Sequence, residues 1–265
     1  MTSKVKETVK KLPRITATGI AFSMFGLGGL ILAGIVLPLM NLIYRDSCVR
    51  KQKARQTVHL AFKFFIQLMI FLRLASFHIE NKVKFRHLSG KLLLANHPSL
   101  IDVVLLISVV PNADCVVKAH LFRNPFIRGV IKNTGYISNE EPEALIAECK
   151  RSLAQGNNLI IFPEGTRTTP GQPLKFLRGA ANIALRCHAK VSCASITVAP
   201  TTLTKNEKWY QVPNKKIAVV LKFLSNSPQI EGYEHASLSK DSRRYTQALE
   251  QFFTKELSLN DRFKN

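Results

Sequence analysis

A histidine with a carboxylate five residues on, His97 and Asp102, is followed some sixty residues later by a second carboxylate and an arginine, Glu164 and Arg167. The first pair lies in Asn96-His97-Pro98-Ser99-Leu100-Ile101-Asp102, the second in Phe162-Pro163-Glu164-Gly165-Thr166-Arg167. Histidine is the side chain best suited to take a proton near neutral pH. A carboxylate on its second ring nitrogen fixes the useful tautomer. Arginine presents a planar fork that matches phosphate. Together these residue types describe a site that takes a proton from an acceptor and holds an anion beside it. Two plainer readings stand next to this one. Ser99 to Asp102 also reads as a helix-capping box, and Glu164 with Arg167 as a surface turn with an ion pair.

Both blocks follow short apolar runs, residues 92–95 and 159–162, that read as buried strands. Reactive side chains would then sit where strands end, the usual place for a site in an α/β sheet. Pro98 and Ser99 predict a helix starting just after His97, which returns Asp102 over the imidazole within about one turn. Pro163 ends its strand and Gly165 permits a tight turn. Lys175, Arg178 and Gly179 open a helix over 176–187, whose first amides favour anions. Further strands are expected over 115–118, 192–200 and 217–224, and a helix over 143–154 with acids early and Lys150 and Arg151 late. A closing helix over 241–257 puts Tyr245, Leu249, Phe252 and Phe253 on one face. Residues 206–214, with Trp209 and Tyr210, read as a loop.

With the residues in view, the chain resembles the glycerophospholipid acyltransferases, the lysophosphatidate acyltransferases and their relatives, over roughly residues 80–225. The resemblance rests on Asn-His-x4-Asp followed by Phe-Pro-Glu-Gly-Thr-Arg. It implies an α/β catalytic domain with a mixed sheet surrounded by helices. It implies His97 as general base and Asp102 as its partner, with Glu164, Gly165, Thr166 and Arg167 binding the acceptor. The chemistry implied is transfer of an acyl group from a thioester of acyl carrier protein or coenzyme A, with no cofactor beyond that co-substrate. Two departures bear on the acceptor. A further family block begins acceptably at Phe122-Arg123-Asn124-Pro125-Phe126, yet Glu140 stands where an arginine is expected. The strand block reads Ile196-Thr197-Val198-Ala199-Pro200, a loose match. Lysophosphatidate therefore shares the field with a non-glycerophosphate acceptor in specialised lipid synthesis. A serine hydrolase would show Gly-x-Ser-x-Gly, which the chain lacks.

Residues 15–44 carry no charge, long enough to cross a bilayer, and Gly26, Gly28, Gly29, Gly34 and Pro38 suggest a re-entrant bend instead. A second apolar stretch, 58–77, carries His59, Lys63 and Gln67 at four-residue spacing, as for a helix at the interface or packed on the first. Both flanks of the first stretch are basic, so a hairpin returning to one face satisfies the charge rule. The expected division is an N-terminal membrane-anchoring helical region over 1–78 and an acyltransferase domain over 79–265. The expected location is the cytoplasmic face of the inner (plasma) membrane. The net charge of +21 over 265 residues calls for anionic partners. Membrane lipids and the acyl donor both fit, and Lys118, Arg123, Arg128 and Lys132 lie near the site blocks. Nucleic acid is not expected, because aromatics do not interleave with the basic residues. The five cysteines show no ligand spacing, no metal is expected, and oligomeric state stays open.

Overall fold

Leu93 and Ala95 pack into one apolar cluster and Leu92 and Leu94 into another, so a single strand feeds two cores by alternation. That is the signature of a sheet buried on both faces. The computed structural model describes residues 3–233 and 237–261. The chain opens with α1 (Ser3–Ile31), passes through a π turn (Leu32–Val36) into α2 (Leu37–Ile43), and returns as α3 (Ser47–Phe71). There follow β1 (Ala75–Glu80), α4 (Lys82–Arg86), β2 (Leu92–Ala95), α5 (Asp102–Val109), β3 (Ala113–Val117) and α6 (Arg128–Thr134). The remainder is β4 (Ile137–Ser138), α7 (Pro142–Ala154), β5 (Asn158–Ile161), α8 (Arg178–Arg186), β6 (Val191–Ala199), β7 (Ile217–Leu224) and α9 (Leu238–Asp261).

The seven strands form one sheet in the order β1-β7-β6-β2-β5-β3-β4. Among the described residues, β6 and β7 pair antiparallel and the other neighbours parallel, which makes the sheet mixed as expected. One core gathers α3 and α5 over the sheet, through Val58, Ile66, Leu105 and Leu106. The other gathers α7, α8 and α9, through Ile146, Ala184, Tyr245 and Phe253. β1 spans Ala75–Glu80 and so lies astride the 78/79 division drawn from sequence.

The glycine-rich stretch does not bend back. It stays helical through the π turn, and the reversal falls at residues 44–46. An apolar segment offers no side chains to satisfy freed amides, so staying helical costs less than turning, even with several glycines. Asp46 supplies what a turn needs, its Oδ1 accepting from Val49 N at 2.9 Å. The second apolar stretch divides: α3 ends at Phe71, and 75–77 join β1 because the main chain there pairs with β7 from Ile217 onward. Lys63 and Gln67 are exposed, whereas His59 binds Ile107 O through Nδ1 at 2.7 Å.

α1 and α2 lie along the rest of the molecule. Arg14 donates to Pro213 O, Phe22 meets Trp209, Phe25 meets Phe62 and Phe65, and Asn41 donates to Asn133. A Cβ on Gly129 of α6 would stand 2.6 Å from Ala33 Cβ and 3.2 Å from its Cα, so the backbone of the π turn admits only glycine there. Arg55 of α3 is buried, donating to Thr134 O at 3.0 Å and to Asp114 Oδ2 at 2.8 Å. Ser152 completes that carboxylate at 2.6 Å.

Candidate active site

β2 and β5 are parallel neighbours, with Leu92 opposite Leu159, so the two blocks leave the sheet side by side at its carboxyl edge. Asn96 makes the departure from β2 rigid. Its amide donates to Ile196 O at 2.8 Å and accepts from Ile196 N at 2.7 Å, continuing the ladder to β6 by side chain. His97 follows immediately, with its ring stacked on Phe162 at 4.1 Å between centroids.

His97 Nδ1 and Asp102 Oδ2 are 2.9 Å apart. The helix expected just after His97 starts only at Asp102, with residues 99–101 forming a turn. That turn brings Ser99 N to donate to the same Oδ2 at 2.6 Å. Asp102 thus serves the imidazole and one backbone donor on one oxygen, but no capping box forms, because Ile101 is the N-cap and the Ser99 hydroxyl turns to Thr202 O. Asp102 is fully buried and its Oδ1 has no hydrogen-bond partner, while the His97 side chain keeps 14% exposure. Burial raises the Asp102 pKa from 3.8 to about 6, against the opposing pull of His97 and Ser99 N.

Glu164 is buried and faces inward. Its Oε1 accepts from His97 N at 2.7 Å and its Oε2 from Thr168 Oγ1 at 2.7 Å. Thr168 N returns to His97 O at 2.7 Å. Burial pushes the Glu164 carboxyl up, with the bonds from Thr168 and His97 opposing. Gly165 sits at φ +65°, where a Cβ would also strike Leu177 at 2.6 Å, so the turn needs glycine twice over. Gly165, Thr166 and Arg167 are partly exposed around this turn. Arg167 Nη1 donates to Leu203 O at 2.8 Å. The same carbonyl accepts from Leu100 N at 3.2 Å, and Ser99 Oγ donates to Thr202 O at 2.9 Å. Leu203 itself holds a left-handed φ of +53°. Lys175, Arg178 and Gly179 stay exposed at the start of α8.

All six residues selected from sequence thus lie in one place, but bound together more than was expected. Asn96, Phe162, Thr168 and the loop 200–204 were missed as parts of the site. Asn96 and Phe162 sit inside the two blocks and could have been read from their positions. The loop carries no local signal, because its contribution is through backbone carbonyls.

Beside the blocks, a cavity of about 370 Å³ opens between the sheet, α5 and the N-terminal helices. Leu100, Ile101, Thr202 and Leu203 line its near side, with Phe22, Phe25, Phe62 and Phe65 across from them. Its walls are overwhelmingly apolar, the chemistry of a hydrocarbon chain rather than of a headgroup. Trp209 and Val212 close one side from the loop that packs on α1. Glu140 is exposed, its backbone N bonded to Ser138 Oγ at 3.2 Å.

The Acyltransferase family model matches residues 76–204. A 1-acyl-sn-glycerol-3-phosphate acyltransferase of Helicobacter pylori (strain J99 / ATCC 700824) is 35% identical over 109 residues, 38% of this chain and 46% of that one. The enzyme of that name from Cocos nucifera is 31% identical over 120 residues, 43% of this chain and 39% of the relative. The aligned segment therefore spans less than half the length of either relative. A crystal structure of the 1-acyl-sn-glycerophosphate (LPA) acyltransferase PlsC from Thermotoga maritima shares the fold across almost the whole molecule. Its TM-score is 0.62 at 18% identity, covering 96% of this chain and 98% of that one. The model match and these relatives give the chain an Acyltransferase domain over residues 76–204, similar over that segment to the 1-acyl-sn-glycerol-3-phosphate acyltransferases.

Proposed function

We propose that the chain transfers a fatty acyl group from a thioester to a lysophospholipid, with 1-acyl-glycerol-3-phosphate as the leading acceptor. The supporting observation is a hydrogen-bonded His97–Asp102 pair whose intervening residues Leu100 and Ile101 line an apolar cavity. The acyl chain of the donor occupies that cavity, which sets the thioester carbonyl beside His97. With Nδ1 engaged by Asp102, Nε2 takes the proton of the acceptor hydroxyl as its oxygen attacks the carbonyl carbon. The new C–O bond forms, the C–S bond breaks, and the imidazolium returns its proton to the departing thiolate. Asp102 offsets the charge on the imidazolium during this passage. Glu164 acts as a positioning residue, since both its oxygens are taken up in holding His97 and Thr168. Arg167 commits one donor to Leu203 O, and its remaining donors are available to the acceptor phosphate.

The enzyme works on a membrane surface. Residues Lys11–Ile43 form a helix whose most apolar 18-residue stretch has mean hydropathy 2.3 and is 11% buried. At 1.5 Å per residue it is about 50 Å long, well beyond the roughly 30 Å of a hydrocarbon core. Arg14, in its first turn, and Arg55 after it are both bound to the sheet domain, so its two basic ends keep to one side. This favours a helix lying along the interface over one that crosses, on the cytoplasmic face where acyl carrier protein and coenzyme A are found. Leu27, Ile31, Ile35, Leu42 and Ile43 are exposed for such immersion. Of the N-terminal region expected over 1–78, we assign α1 and α2 to membrane attachment, while α3 and β1 pack with the catalytic domain over 79–265. The exposed Lys118, Arg123, Arg128 and Lys132 meet the anionic donor or lipid.

Glu140, an acid where the family block expects arginine, favours a second reading in which the acceptor is not a glycerophosphate. The test is to incubate membranes holding wild type or His97→Ala with labelled acyl carrier protein, acyl coenzyme A and a panel of lysolipids. His97-dependent label on lysophosphatidate supports the first reading. Label on another acceptor supports the second, and transfer by the histidine variant equal to wild type overturns both.

A further inference from the structure

A second cavity, about 540 Å³ and markedly more polar, lies toward the amino ends of the central strands. Lys51, Arg55, Asp114, Ser152 and Asn157 are among its walls. The apolar cavity reaches down from the carboxyl edge, between α6 and β3, toward this polar one. Tyr136, one residue before β4, lines both. Its ring packs with the apolar cluster under α3 and α5. Its hydroxyl is buried and has no hydrogen-bond partner in the structure. The charged neighbours felt by that hydroxyl are Asp114 and Arg55, which belong to the polar cavity.

We propose that Tyr136 is the floor of the acyl cavity and the residue that sets the longest chain the enzyme accepts. The inference rests on the acyltransferase reading and deepens it by naming the selectivity determinant. A hydrocarbon chain entering past Leu100 and Ile101 and running between Val117 and Val130 ends against the Tyr136 ring, which this cavity shares with the polar one. Beyond the ring the lining changes from aromatic and aliphatic to Lys51, Arg55 and Asp114, where methylene groups gain nothing. The ring is therefore both a steric stop and the boundary of the apolar environment. Its hydroxyl makes no bond that holds the fold together, so the phenol oxygen is dispensable and the ring is not.

The test is a chain-length profile on full-length protein in membranes, using saturated acyl thioesters of increasing length, for wild type and for Tyr136→Phe, Tyr136→Leu and Tyr136→Trp. Transfer of the chain two carbons beyond the wild-type optimum, relative to that optimum, should rise about tenfold in Tyr136→Leu, the equivalent of roughly two further buried methylenes. Tyr136→Trp should shift the optimum toward shorter chains, and Tyr136→Phe should keep the wild-type profile. In parallel, native mass spectrometry of detergent-solubilised protein with free saturated fatty acids reads occupancy of the cavity without turnover. The same ordering of lengths is expected there. Active Leu and Trp variants with the wild-type profile, or fatty-acid binding indifferent to both, would overturn the floor assignment and leave the reaction standing. Length-dependent binding without transfer in the wild type would uphold the floor and count against the acyltransferase reading.

Discussion

Asp102 carries more obligations than its spacing from His97 suggested. One oxygen serves the imidazole and the Ser99 amide together, and the other has no partner. Burial lifts its pKa to about 6, so the folded protein holds this proton more tightly than the unfolded chain does. That contribution to stability is complete below about pH 4 and is lost as pH rises through about 6, some 3 kcal/mol in all. Denaturant midpoints across this window should fall more steeply for wild type than for Asp102→Asn; parallel slopes would refute the assignment. Asp114 and Glu164, also raised by burial, add the same trend to both proteins. Activity runs the other way. Below about pH 6 the protonated carboxyl no longer offsets an imidazolium, so kcat/KM should drop. His97→Ala should cost at least about 10²–10⁴ in transfer while membrane attachment persists, read by flotation alongside the assay. Glu164→Gln should lower kcat more than it changes KM for the acceptor, because Glu164 holds His97 rather than substrate. A KM effect alone would return Glu164 to the acceptor-binding role that the family resemblance implies.

At the scale of elements, what sequence revealed was what is local. The leucines of β2, the apolar run of β5 and the acid-to-base gradient of α7 each declare themselves within a dozen residues. The bend near Gly26–Gly34 was misread because a glycine count says nothing about whether freed amides find partners. The short β4 and the loop 200–204 were not singled out, since one is two residues long and the other works through carbonyl groups. Arg55 reads in sequence as one more cation of the basic run after the first apolar stretch, yet it ties α3 to β3 and α6 across 59 and 79 residues of sequence. Arg55→Ala should destabilise by about 3–5 kcal/mol, because it strands the Asp114 carboxylate in the interior. Replacing both partners with apolar residues of similar size should recover much of that loss. Chemical denaturation of the single and double variants decides it. Gly129→Ala, which would press on the backbone of the π turn, should cost about 1–3 kcal/mol by the same measurement.

The molecule as a whole is a sheet domain with its apolar cavity completed by N-terminal helices, the same helices proposed above to meet the membrane. Phe22 and Phe25 from α1, with Phe62 and Phe65 from α3, face Leu100 and Ile101 from the histidine block. Removing residues 1–43 should abolish chain-length selectivity as well as liposome flotation. Persistent flotation would mean that the catalytic domain carries an anchor of its own. The shared cavity also bears on biogenesis. On the membrane reading, α1 to α3 are synthesised and meet the bilayer before β2 exists, so the base is assembled against a wall already in place. A catalytic domain released without those helices would keep His97 and Asp102 but lose the enclosure that keeps water off a bound thioester. On the acyltransferase reading, a fragment that loses α1 and α2 but keeps α3 would spend activated acyl groups by hydrolysis, turning transfer into futile thioester cleavage.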